Sequence, residues 1–265
     1  VEWTVPLDEF INVRTWTDNI KIDDASQWRI FSAKDFKYPL EQTNSCLVEK
    51  SSLACNTPIL YGLKTVSGFS PVMSKKYYNF MNFDKQDPEF VLDMLSVKYI
   101  ATNVLPGKLP DTIKLLFHGE NLFIFENTGA IPIVSALQSS SVPSIYMKPI
   151  AKSYYPYVTI KNETPNEIVV ELKNGPAWIV LRNWSCKGWK AFKADKTEFP
   201  IVLADGIFPC VFADFDSGVI VFCFFPSGLK YGLFSFFLGF IILFWQVLNK
   251  KFKKMRYTPC GKFFF

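Results

Sequence analysis

The chain has 265 residues, a net charge of +5, and 49% hydrophobic and 17% aromatic residues. That composition excludes a disordered polar chain and supplies a sizeable core. Six cysteines at this length exclude a disulfide-dense scaffold. Six Lys and Arg residues from Asn249 onward carry the excess charge and leave the rest at about −1, so the basicity is no nucleic-acid footprint.

In chain order, residues 1–24 read as an entry segment with a short helix around Leu7 to Trp16. Trp28 to Ser32 is strand-like, and Ser45 to Glu49 more weakly so. Asn56 to Pro71 is rich in loop residues, with Tyr61-Gly62 and Ser67-Gly68-Phe69-Ser70-Pro71 punctuating the backbone. Ser74 to Asn82 has helical spacing. Asp87-Pro88-Glu89 marks a helix start: a capping Asp, Pro at the first helical position and an acid in the first turn. Phe90, Val91, Met94 and Leu95 share one face of that helix. Lys98 to Asn103 reads as a strand, Ile113 to His118 and Asn121 to Glu126 as a hairpin about Gly119-Glu120, and Ile131 to Leu137 as a further strand.

From Tyr154 short strands follow in quick succession: Tyr157 to Lys161, Glu167 to Lys173, Ala177 to Trp184, Trp189 to Ala194, Phe199 to Ala204, Phe208 to Asp214 and Val219 to Phe225. Turn chemistry such as Asn174-Gly175-Pro176 and Asp216-Ser217-Gly218 separates them. The pattern predicts an antiparallel β-sandwich. Cys46 and Cys55 are close enough to bridge, and Cys210 and Cys223 are placed to face each other across a hairpin.

Tyr231 to Leu248 contains no charged residue, and the apolar run extends back to Pro226 if Lys230 snorkels to the headgroups. At about 1.5 Å per residue the segment matches a bilayer core about 30 Å thick. Lys250, Lys251, Lys253, Lys254 and Arg256 follow at once. The positive-inside bias puts this tail in the cytoplasm and everything before Pro226 outside, and anionic lipid is a natural partner for it. The expected architecture is an α+β N-terminal part over 1–153, an antiparallel β-sandwich over 154–226, one C-terminal transmembrane helix over 227–249 and a basic cytoplasmic tail over 250–265. Translocating so large a portion requires either a removed signal peptide or membrane helices further upstream, and the second is the expectation here.

Little in the sequence carries chemistry. His118 is the single histidine, so any Ser-His-Asp or Cys-His arrangement must use it. There is no Cys-x-x-Cys pair and no glycine-rich phosphate loop. Asp23 and Asp24 are adjacent and point apart on a strand. No catalytic residue, metal site or cofactor is implied. The better lead is aromatic. Tyr61, Tyr77, Trp184 and Trp189, with Tyr78, stand near loops, where a flat ring with a polar handle suits a pyranose; the same rings also suit a core or a headgroup layer. Asn162-Glu163-Thr164 and Asn183-Trp184-Ser185 fit the glycosylation acceptor pattern.

Several of these stretches together resemble one family. They are Trp184-Ser185-Cys186-Lys187-Gly188-Trp189-Lys190-Ala191, Asp195, Gly206-Ile207-Phe208 and the strand ending Phe225-Pro226-Ser227-Gly228. Upstream, Leu95-Ser96-Val97-Lys98-Tyr99-Ile100, Phe123-Ile124-Phe125-Glu126-Asn127, and Tyr61-Gly62 through Pro71 to Tyr77 and Phe80 add to them in the same order. This resembles the C-terminal region of bacterial YfhO-like membrane proteins, which are similar to the GT-C class of multi-pass glycosyltransferases. Lys187 stands where that family has Pro, Ile131-Pro132-Ile133 lacks an Arg after the Pro, and Pro209 replaces a common Arg. The resemblance implies the extracytoplasmic C-terminal portion of a protein of the bacterial cell membrane. Its parent would transfer sugar from a polyprenyl-phosphate donor to a cell-envelope glycopolymer. The acidic catalytic residue of such enzymes lies between N-terminal membrane helices that this chain lacks, so this portion would position donor or acceptor. The alternative is a non-enzymatic, membrane-anchored binding or assembly module.

Overall fold

The computed structural model describes residues 27–32, 62–66, 75–81, 87–102, 109–119, 122–137, 158–185, 187–204, 206–226 and 228–256, with Gly107 and Val142. The expected helix near Leu7, the strand at Ser45 to Glu49, the Cys46 and Cys55 pair, Asp23 and Asp24, Tyr61 and the chain beyond Arg256 lie outside these residues. What is described is mostly β-structure in three sheets, largely antiparallel, followed by one long helix.

The first sheet joins β1 (Arg29–Ser32), β2 (Val97–Thr102), β3 (Ile113–Gly119) and β4 (Leu122–Asn127) in the order β1-β2-β4-β3. The β3–β4 hairpin forms where the sequence placed it, with a bulge between Leu115 and Phe117. β1 runs parallel to β2, a pairing that needs a long crossover rather than a turn. Two short helices are described within that crossover. α1 is Lys75–Phe80 and α2 is Pro88–Met94. α2 starts as its residues dictate: the Asp87 carboxylate accepts from the Glu89 N–H at 3.1 Å, and Pro88 needs no donor partner at the first position. Val91, Leu92 and Met94 then face inward.

The other two sheets are wholly antiparallel. One contains β6 (Val158–Thr164), β7 (Glu167–Lys173), β9 (Trp189–Lys193), β10 (Glu198–Phe199) and β13 (Ser217–Phe224), ordered β10-β9-β13-β7-β6. The second contains β5 (Val134–Leu137), β8 (Ala177–Leu181), β11 (Val202–Ala204) and β12 (Phe208–Ala213), ordered β11-β12-β8-β5. β8 shows why this sheet holds the molecule together. Its Ala177, Ile179 and Leu181 join one buried cluster with Ile168, Val170, Leu172, Ile220 and Phe222 of the five-stranded sheet. Its Val180, with Trp178 at the margin, joins a second cluster with Phe80, Val91, Met94 and Leu95. Alternate side chains of a strand point to opposite faces. A strand buried on both faces therefore reads as the continuous apolar run Ala-Trp-Ile-Val-Leu rather than as alternation.

Several strand expectations are corrected. Phe199 to Ala204 is not one strand but two, β10 and β11, in different sheets. Pro200 lies between them, and a residue without an N–H ends a ladder and lets the chain cross over. β8 ends at Leu181, well short of Trp184; Arg182 just beyond it still bonds the Ile133 carbonyl in register through its N–H at 2.7 Å, and its guanidinium donates to Pro132 O and Ser135 Oγ. β5 begins at Val134 rather than Ile131, since Ile131 and Ile133 bond Asp93 and Gln27 instead. Cys210 and Cys223 do not face each other across a hairpin. β12 and β13 belong to different sheets, and both thiols are free. Burial pushes the Cys210 thiol up to about 11.

β13 leads through Phe225 and Pro226 into α3 (Leu229–Arg256). Leu229 to Asn249 is long and apolar enough to cross a membrane, and none of those 21 residues is buried in the protein. Phe234, Trp245 and Tyr231 are each about two-thirds exposed, on several sides of the helix. Apolar on all sides and unburied along that length, the helix has the length and composition of a membrane-crossing segment.

Candidate functional site

Of the aromatic residues singled out by sequence, Tyr77, Trp184 and Trp189 form two arrangements. Tyr77, on α1, meets Trp184, in the connection after β8, edge to face with ring centroids 4.9 Å apart. Both rings lie half on the second core cluster and keep part of their surface open. Trp189, the first residue of β9, is held differently. Its indole N–H donates to the Trp184 carbonyl at 3.3 Å, and its ring tilts against Phe224 at 5.4 Å. Trp189 is thus the pin that fixes the connection, and Trp184 is the ring it presents. Tyr61 lies outside the described residues. Tyr78, beside Tyr77 on α1, is 63% exposed.

A polar cluster that the sequence reading missed supports this pair. Arg29, at the start of β1, donates to the Leu95 carbonyl at 2.9 Å and to Asn183 Oδ1 at 2.5 Å. Burial lowers its pKa, opposed in part by the charges of Tyr77 and Glu163. Burial raises the Tyr77 pKa in turn, and Arg29 pulls it back. Glu163 pairs with Lys64 at 2.6 Å. The bond from Arg29 fixes Asn183, and with it the backbone that carries Trp184. One signal for this cluster was present: Arg29 is a lone charge inside the apolar run Trp-Arg-Ile-Phe. Its partner was not legible, because Asn183 lies 154 residues away.

Asn183 is therefore half-buried with its side-chain oxygen engaged, whereas Asn162 is exposed on β6. His118 is exposed, and its ring stacks on Phe123 at 4.6 Å. Among the described residues no group of three or more His, Cys, Asp or Glu side chains is arranged to hold a metal ion. What the arrangement offers chemically is an aromatic pair backed by a part-buried guanidinium, suited to contact rather than to bond making. Comparison with protein-family models, with curated proteins and with solved structures gives no match.

Proposed function

We propose that this chain is a membrane-anchored module whose β-sheet body rests on the outer face of a bacterial cell membrane. There it helps position a polyprenyl-phosphate-linked sugar, or the glycopolymer acceptor, for a glycosyltransferase of the YfhO-like, GT-C kind. The observation that carries the anchoring is α3, apolar around its whole circumference and directly continuous with β13. The five-stranded and second four-stranded sheets share one buried cluster, which supports reading them as a β-sandwich. The basic residues after Asn249 support a cytoplasmic tail. The positioning role rests on the ordered motifs of the family resemblance and on the open face of the Tyr77–Trp184 pair.

One observation favours the second reading, a non-enzymatic binding or assembly module: Tyr77, Trp184 and Trp189 are all engaged with their own chain. Saturation-transfer NMR on the full chain in nanodiscs, with hexoses and N-acetylhexosamines, separates the two. The positioning role expects sugar contacts that Trp184→Ala removes and Trp178→Ala leaves intact. A wild-type chain without sugar contacts leaves only the assembly reading.

A further inference from the structure

The elements meeting at the end of the sheets nearest α3 form a rim. Phe225 donates its N–H to the Gly188 carbonyl at 2.9 Å, Phe224 donates to Asn166 O at 2.8 Å, and Ser185 donates to Ile207 O at 3.3 Å. The Trp184–Trp189 connection is therefore tied to the last residues before the helix. The approach is close: a Cβ at Gly188, where φ is +128°, would lie 2.3 Å from the Phe225 carbonyl oxygen. Phe225 itself is 53% exposed, an aromatic ring left uncovered just past the end of β13. Lys187 and Lys230 are exposed at the same end, as are Lys75 and Lys76 of α1, the latter with its ammonium beside Gly206 of the neighbouring turn.

We infer that this rim, with Trp184, Lys187, Trp189 and Phe225, is a second membrane contact, seated in the lipid headgroup layer beside the start of α3. The inference rests on the reading of α3 as a membrane span and adds where the body sits relative to it. Length decides the question. Phe225 and Leu229 are at most about 14 Å apart even if fully extended. The Leu229 N–H bonds the Pro226 carbonyl at 3.0 Å and closes that connection into a turn. The headgroup layer is about 5–7 Å thick on each side; a fully extended connection would clear it, but the Pro226–Leu229 turn takes up that slack and holds the rim at its level. Its chemistry fits the place: aromatic rings with one polar edge and lysines on long stems are the side chains that headgroup phosphates and glycerols accept. The same placement brings the Tyr77–Trp184 pair to the bilayer surface, because Trp184 lies on the tethered connection.

The test is collision-accessibility EPR on the full chain in liposomes of phosphatidylglycerol and phosphatidylethanolamine. Nitroxides are placed singly at Lys187→Cys, Leu238→Cys and Lys173→Cys in a background whose other reachable thiols are serine. Lys173 is exposed at the far end of β7, about 20 Å away along the strand. The expected result is a hydrocarbon signature at position 238, an aqueous one at 173, and at 187 an oxygen accessibility several-fold above that at 173. A label at 187 as aqueous as that at 173, with 238 in hydrocarbon, overturns the inference and leaves the anchor standing. An aqueous label at 238 removes the anchor and the inference with it.

Discussion

Arg29 carries a charge into a part-buried site at the start of β1. A guanidinium taken out of water costs several kcal/mol unless its donors find partners. Leu95 O and Asn183 Oδ1 provide two, and through them one side chain ties β1 to the end of α2 and to the connection carrying Trp184. Arg29→Met should lower the unfolding free energy by about 2–4 kcal/mol, on the scale of hydrogen bonds to charged groups. Denaturation in detergent followed by tryptophan fluorescence measures this, and a change under half a kcal/mol would place the guanidinium outside the stabilising network. Tyr77 adds a pH signature. Burial raises its folded-state pKa above the ordinary 10. The protonated phenol is thus favoured in the folded chain, so its contribution is complete below pH 10 and is lost as pH rises through the higher native value. Tyr77→Phe should remove that alkaline loss. An unchanged alkaline profile would assign the loss to other groups.

Among the elements, the connection between β8 and β9 illustrates how local geometry and long-range packing meet. Gly188 tolerates a positive φ that a side chain resists, and only its lack of a Cβ lets the Phe225 backbone close on it. Gly188→Ala should destabilise by about 1–3 kcal/mol and loosen Trp184 and Trp189 together. Gly232→Ala, on an open side of α3, has nothing within 4 Å to meet and should leave the same unfolding curve in place. Equal effects would mean that the closeness of Gly188 to Phe225 carries no energy. Elements with local signatures were read correctly from sequence. The capped start of α2 and the β3–β4 hairpin depend on residues a few positions apart. The split of Phe199 to Ala204 was missed because the choice of sheet for each half is made by partners elsewhere in the chain. Cys210 and Cys223 were misplaced for the same reason: adjacency in sequence suggested a hairpin, but β13 pairs with β7 and β9.

At the scale of the whole molecule, the proposed orientation of α3 rests on the asymmetry of charge about it. Lys250, Lys251, Lys253 and Lys254 follow the span, and only Lys230 stands at its other end. With a cytoplasmic tail, a membrane-impermeant thiol reagent on intact cells should leave Cys260 unmodified. Changing those four lysines to Gln should make Cys260 reactive in a measurable fraction of chains. Labelling of Cys260 in the unaltered chain would reverse the topology.

The sequence by itself determined the long apolar helix and most of the described strands, because length, hydropathy and side-chain period are properties of contiguous residues. Tertiary structure alone decided which strands share a sheet, and that β8 is buried on both faces. It also decided that Arg29, Tyr77, Asn183 and Trp184 converge at one end of the body. A strand's period is written into its own residues, but its partner is chosen by competition among all the apolar faces in the chain. No local stretch holds that information.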